Sequence, residues 1–200
     1  MKAILVGPDG KPRCRWHAAA PDFLAYHDTE WGFPVGDGQR LFEKLCLESF
    51  QSGLSWRTIL TKREDFRAAF HGFDIERIAR FTARDVARLL KNEGIVRNRA
   101  KIEAVINNAR CARELIDREG SLAAFLWRYE PEVPATPQTV TTCAESVALS
   151  KDLKKRGWAF VGPTTIYAFM QAMGLVNDHA EGCVIRAKVE RARKAFRRPA

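Results

Sequence analysis

The sequence predicts an all-α protein, and three observations carry that expectation. Apolar residues recur at helical spacing, no segment alternates convincingly at strand spacing, and no glycine-rich phosphate loop of the G-x-G-x-x-G or G-K-[ST] kind occurs. Leu41, Phe42, Leu45, Cys46 and Ser49 form one i, i+3, i+4 stripe, and Ile102, Val105, Ile106, Ala109, Ala112 and Ile116 form a longer one. Thr82 and Asp85 fit a capping box ahead of Val86, Leu89 and Leu90. Ser121 is placed to cap the segment of Leu122, Phe125 and Leu126. Pro163 suits a first helical turn leading to Met173, and Gly174 is placed to stop that helix. Tyr129 to Glu145, holding Pro131, Pro134 and Pro137, is the one long non-helical stretch, either a linker or a packed loop.

Two hundred residues suit one large domain or two small lobes, and 46% hydrophobic with 28% charged residues is ordinary for a soluble globular chain. No apolar run reaches membrane-spanning length, and the stretch Ala3 to Val6 is too short for a secretory signal, so no membrane partner and a cytoplasmic location are expected. The five cysteines are odd in number and scattered, which argues against a disulfide framework; Cys46 and Cys111 read as buried thiols. The net charge of +9 favours a polyanionic partner, nucleic acid first. Part of it lies in Arg186 to Ala200, where seven Lys or Arg stand against Glu190 alone; a solvated tail and a DNA contact fit equally well.

Cys14 and His27 near one end, and His179 and Cys183 near the other, would complete a tetrahedral Cys2His2 zinc site. On a helix, His179 and Cys183 at i and i+4 project from one face. With all four positions filled by protein the metal is structural and joins the chain ends. Each spacing alone also fits core residues, and His17 competes for a ligand position; His71, in Phe70-His71-Gly72-Phe73, suits a turn.

Val86 to Ala109 reads helix, turn, helix. Gly94 can adopt a positive φ, Asn98 can cap the second helix, Ile95 and Val96 anchor the turn, and Arg97, Arg99 and Lys101 fringe it with positive charge. Amides at a turn and a helix N-terminus suit a DNA phosphate, although a plain αα-hairpin has the same pattern. Phe23 to Trp31 gathers aromatics around His27, and Glu48 to Trp56 ends one helix and begins the next.

Several segments together carry a resemblance: Cys14-Arg15-Trp16, Tyr26-His27-Asp28-Thr29-Glu30-Trp31-Gly32, Leu47-Glu48, Gln51-Ser52-Gly53-Leu54-Ser55-Trp56, Lys154-Lys155-Arg156-Gly157, Phe160-Val161-Gly162-Pro163-Thr164-Thr165 and Val176-Asn177-Asp178-His179. In this order, from about Cys14 to about Cys183, they resemble the type I 3-methyladenine DNA glycosylases. The resemblance implies a helix-hairpin-helix DNA glycosylase fold, with the hairpin near residues 82–109, in a single domain of 14–185 between an N-terminal extension (1–13) and a basic C-terminal tail (186–200). It implies one structural zinc on Cys14, His27, His179 and Cys183. It places the base pocket on Phe23, Tyr26, Glu48 and Trp56, with Phe23 where the best-known members carry a tyrosine, so that one hydroxyl is missing.

The implied activity is release of free 3-methyladenine from alkylated double-stranded DNA by a monomer, leaving an abasic site. Glu48, the catalytic carboxylate, carries recognition and electrostatic stabilisation rather than general-base work, Leu54 and Gln51 fill the gap left by the flipped base, and Gly94, Arg97 and Arg99 contact DNA. No counterpart of the wider superfamily's catalytic Asp is evident, and no lysine stands where a Schiff base would be assigned, so hydrolysis is expected to be monofunctional. The competing readings are a binding module without turnover and another kind of zinc hydrolase. Intact Tyr26, Glu48 and Trp56 weigh against the first, and a closed four-ligand site against the second.

Overall fold

The helix carrying the Leu41 stripe, Gly38–Gln51, is buried from Leu41 to Phe50 except at Glu43, which makes it the central element of the protein. A helix buried nearly all round belongs inside a bundle. Here it also takes two charged side chains, Lys44 and Glu48, into the interior. The computed structural model describes residues 3–133 and 136–200, so Pro134 lies outside the described residues. The order is β1 (Ile4–Val6), β2 (Pro12–Cys14), a 3-10 turn (Arg15–Ala19), α1 (Phe23–Thr29), α2 (Gly38–Gln51), α3 (Trp56–Thr61) and α4 (Arg63–Ala69). There follow α5 (Ile75–Ala79), α6 (Ala83–Leu90), α7 (Arg99–Glu119), α8 (Leu122–Trp127), α9 (Ala144–Lys155), α10 (Pro163–Ala172) and α11 (Arg186–Ala195). α7, α8 and α10 pack on α2, α5 and α6 pack on α7, and α9 packs on α10. No helix among the described residues is long and apolar enough to cross a membrane.

The local signals read from the sequence are in place. Thr82 and Asp85 form a capping box on α6, Asn98 accepts from Lys101 N, Ser121 accepts from Ala124 N, and Pro163 opens α10. Gly174 follows α10 with φ 79°, and a Cβ there would meet Pro34 N at 2.5 Å, so both conformation and space demand glycine. Within the proline-rich stretch, Gln138 N donates to Asp178 Oδ1 at 2.8 Å, which anchors that residue to the segment before α11.

Four expectations change. β1 and β2 form an antiparallel ribbon in the register Ile4↔Cys14, Leu5↔Arg13, Val6↔Pro12. Its strands are three residues long with Leu5 and Val6 exposed, so no alternation marks them; the turn chemistry of Pro8-Asp9-Gly10 was the available signal. Residues 186–195 are a helix, not a solvated tail, seated by buried Val189, by Phe196 packed 4.6 Å from Trp127 at a 37° tilt and by the Arg193–Glu130 pair. Gly94 stays out of the left-handed region; its need is space, because a Cβ would meet Asp65 Cγ at 2.8 Å.

The fourth concerns Lys101, which does not fringe the α6–α7 turn. It is buried and donates to Phe50 O at 2.7 Å and to Ser52 O, closing carbonyls at the end of α2. Lys101→Met should lower stability by about 1–3 kcal/mol, because two carbonyls lose a buried donor. Thermal unfolding checks this; an unchanged midpoint would show that water replaces the ammonium freely.

Candidate active site and metal cluster

The two chain ends meet at four side chains. β2 delivers Cys14, α1 delivers His27, and the segment before α11 delivers His179 and Cys183. The last two do not share a helix as expected. They lie in a turn closed by Cys183 N donating to Ala180 O at 3.0 Å. All four residues are buried, with their ligand atoms within 4.8 Å of one another, so the cluster could hold a metal ion. Cys14 Sγ and Cys183 Sγ each lie 3.6 Å from His179 Nδ1, and Cys183 Sγ lies 3.6 Å from His27 Nε2. Sulfur and nitrogen ligands on one tetrahedral ion, at bond lengths of about 2.3 and 2.05 Å, stand about 3.6 Å apart. The donor set and its spacing therefore fit.

The remaining ring nitrogens are held from outside. His27 Nδ1 is 2.7 Å from Asp28 Oδ1, and His179 Nε2 is 3.0 Å from Trp31 O. Such partners fix which nitrogen faces a metal. Asp28 is in turn gripped by buried Arg13, whose Nε donates to Oδ1 at 2.9 Å and whose Nη1 reaches Asp9. Sequence reasoning missed Arg13, since it lies within the supposed extension. The hydrogen bond from Cys14 holds Cys183 far below the usual thiol range, while that bond and burial push Cys14 up. Metal binding takes thiolates, so a cation between the two sulfurs would favour loss of both thiol protons. His17 stands apart, its Nδ1 2.9 Å from Cys14 O, and His71 sits in the expected turn with φ 52°.

Beside this cluster lies a cavity of about 450 Å³, within the range of small-ligand sites. Trp16, Phe23, Tyr26, Trp31 and Trp56 line its aromatic side. Tyr26 and Trp56 are 5.4 Å apart at 42°, and Trp16 meets Phe23 edge-on at 5.9 Å. Trp16 also packs 5.0 Å from His27, and Trp31 packs 4.6 Å from His179. The cavity wall therefore rests directly on the two histidines of the cluster. The polar lining comprises Glu48, Gln51, Gln138, Gln171 and Asp178. Asp178, whose pKa burial pushes up, accepts from Gln138 N and from Gln171 Nε2 at 2.6 Å. Neither it nor its partners were anticipated; the Val176-Asn177-Asp178-His179 motif was the available signal.

The structure brings the expected pocket residues Phe23, Tyr26, Glu48 and Trp56 together around this cavity. It adds Lys44, one turn before Glu48 on α2. Lys44 Nζ lies 2.8 Å from Glu48 Oε1, donates to Tyr26 Oη at 2.9 Å, and sits 3.4 Å from the Trp56 ring centroid. Burial lowers the Lys44 pKa against the opposing pull of Glu48, and burial together with Glu48 raises that of Tyr26. Trp56 Nε1 is buried and finds no hydrogen-bond partner among the described residues.

Gln51 lines the cavity rim, and its Nε2 donates to Leu54 O at 3.0 Å, so the tight loop between α2 and α3 presents a 40% exposed Leu54 next to the opening. Lys101 ties this loop to the start of α7. Arg97 and Arg99 stay on the surface, paired loosely with Glu93 at 3.4 Å and Glu103 at 3.2 Å. Exposed pairs of this kind contribute little, leaving both guanidiniums free to turn to another anion.

A helical protein with an aromatic, acid-bearing cavity braced on a Cys2His2 cluster is thus defined. Residues 16–187 match the methyladenine glycosylase family. DNA-3-methyladenine glycosylase 1 of Escherichia coli (strain K12) is 47% identical over 177 residues, spanning 86% of this chain and 95% of that protein. A crystal structure of 3-methyladenine DNA glycosylase I superposes with a TM-score of 0.82 at 49% identity, covering 86% of this chain and 98% of its own. A structure of 3-methyladenine DNA glycosylase I from Staphylococcus aureus, solved for the basis of its 3-methyladenine recognition, gives a TM-score of 0.82 at 38% identity, covering 87% and 96%. The chain belongs to the methyladenine glycosylase family.

Proposed function

We propose that this chain is a monofunctional DNA glycosylase of base-excision repair, hydrolysing the N-glycosidic bond of 3-methyladenine in alkylated double-stranded DNA. The observation that carries the reading is the cavity in which Tyr26 and Trp56 flank a buried Glu48 carboxylate. A flipped purine fits such a slot edge-on to the acid. Phe23, Tyr26 and Trp56 supply stacking, and Glu48 accepts hydrogen bonds from the adenine edge. Methylation at N3 makes the base cationic and its C1′–N9 bond weak. When that bond breaks, its electron pair stays on N9 and the base leaves neutral. The positive charge passes to the sugar, water bonds to C1′, and the proton lost goes to solvent. Free base and an abasic site result.

Around this pocket, Leu54 and Gln51 act as the wedge that fills the vacated stack. The α6–α7 pair around residues 82–109 serves as a helix-hairpin-helix, with Gly94, Arg97 and Arg99 on phosphate. The cluster of Cys14, His27, His179 and Cys183 holds one structural zinc, favoured by its two thiols, two imidazoles and lack of a further open position. A single glycosylase domain over 14–185, a monomeric state and a cytoplasmic location complete the proposal.

The test is to incubate the protein with methylated DNA and resolve released bases by chromatography; free 3-methyladenine is expected, and none would overturn the reading. A second prediction separates DNA contact from base binding. Replacing Arg97 and Arg99 together with Gln should weaken DNA binding and reduce the salt slope by about 2, with free 3-methyladenine binding unchanged. An unaltered slope would remove both from the DNA surface.

A further inference from the structure

We infer that Lys44 is a specificity-determining residue of the base pocket, whose ammonium neutralises Glu48 and makes the pocket favour the neutral departing base over the N3-methylated cation. This rests on the proposed base pocket. Lys44 is buried one helical turn before Glu48, and its three donors are all engaged. One meets Glu48 Oε1 at 2.8 Å, one meets Tyr26 Oη at 2.9 Å, and the Trp56 ring face lies 3.4 Å away at its centroid. The Tyr26 ring centroid is 5.2 Å from the same ammonium.

The acid and both rings suited to a cationic base therefore already face a cation. The nearby Glu30 is itself paired with Arg63, bidentate at 2.5 and 3.0 Å, and offers no spare negative charge. Asp178, also lining the cavity, is bonded to Gln138 and Gln171 instead. The Lys44–Glu48 pair has no net charge, so Glu48 contributes hydrogen-bond acceptors and position more than charge. The consequence follows from where charge moves in the reaction. Positive charge leaves the base for the sugar as C1′–N9 breaks. A fixed cation behind the base assists that movement, whereas an unpaired carboxylate in the same place would hold the charge on the base and resist it.

Two probes report this without turnover: neutral 3-methyladenine, and 3,9-dimethyladeninium, a permanent cation with a methyl group in place of the sugar. Their affinities are measured at one pH by tryptophan fluorescence for the wild type, Lys44→Met, Lys44→Gln and Lys44→Arg. The wild type should bind the neutral base more tightly. Lys44→Met and Lys44→Gln should each shift the ratio of affinities toward the cation by about tenfold or more, and Lys44→Arg should keep the wild-type ratio. A general loss of packing weakens both ligands alike and leaves the ratio alone. Single-turnover release from methylated DNA should slow in the two neutral variants with no rise in the half-saturating DNA concentration. Unfolding midpoints identify any variant that does not fold, and either neutral variant suffices. A ratio unchanged in a folded neutral variant, or a wild type that prefers the cation, would overturn the inference. Failure of the wild type to bind either base would overturn the pocket itself.

Discussion

Glu48→Gln should slow release of 3-methyladenine from alkylated DNA by roughly 100-fold, about 2.7 kcal/mol of transition-state stabilisation, while the helical fold persists. The side chains are nearly isosteric, so the change is electrical and directional. An amide oxygen can still accept from Lys44, but the group facing the base gains a donor where an acceptor stood. It also leaves the Lys44 ammonium buried without its counter-charge, held by neutral groups alone: the amide oxygen, Tyr26 Oη and the Trp56 ring. The pocket then holds an uncompensated positive charge that repels the cationic substrate.

The same variant has a stability signature with a definite sign. Burial already lowers the Lys44 pKa in the folded protein, with Glu48 pulling it up. Removing Glu48 lowers it further. Between that lowered value and the ordinary lysine value of about 10.4, the unfolded chain binds more protons than the folded one. Stability of Glu48→Gln should therefore rise with pH across this window, as Lys44 loses its proton and the penalty of burying it disappears. Melting midpoints for variant and wild type at about pH 7 and about pH 9.5 check this; the gap between them should narrow at the higher pH. Unchanged base release, or a gap that widens, would remove Glu48 from the assigned role.

That Glu48 mattered was legible in the sequence only through the company it keeps, and its partner Lys44 was not legible at all. Caps were readable because Thr82, Asn98 and Ser121 act on backbone within three residues of themselves. The stripes on α2 and α7 were readable because burial repeats with the helix. Lys44 and Glu48 at i and i+4 look instead like a solvent-exposed ion pair. Only the covering of this face of α2 by Tyr26 of α1 and Trp56 of α3 puts Lys44 inside beside Glu48. Leu47 and Phe50, which flank Glu48 outside the simple stripe, were the clue that α2 is buried on every side. Arg13 and Lys101 escaped for the same reason: a long basic side chain reads as surface until a tertiary partner, Asp28 or the Phe50 carbonyl, is brought to it. The clustering of Cys14, His27, His179 and Cys183 was readable because sulfur and imidazole have few other reasons to meet at both chain ends, although the turn that carries His179 and Cys183 was not.

Cys183→Ala should cost the protein its metal and about 3 kcal/mol or more of stability, and should weaken 3-methyladenine binding as well. Stability falls because the cluster is the place where β2, α1 and the turn before α11 converge, so its loss frees both chain ends at once. Binding falls by a separate route. His27 adjoins Tyr26 on α1, Trp16 packs 5.0 Å from the His27 ring, and Trp31 packs 4.6 Å from His179. Three aromatic walls of the cavity thus take their positions from the two imidazoles of the cluster, which the proposed metal would hold. Cys46→Ala provides the contrast, because Cys46 is fully buried on α2 yet lies outside the ligand cluster. It should cost about 1 kcal/mol, retain metal and bind base normally. Metal content by elemental analysis, unfolding midpoints and base affinity, measured together on both variants, distinguish the two effects. A Cys183→Ala protein that is metal-free and destabilised yet binds 3-methyladenine like the wild type would sever the cluster from the pocket. Equal losses in Cys46→Ala would mean that the base senses general stability rather than the two histidines.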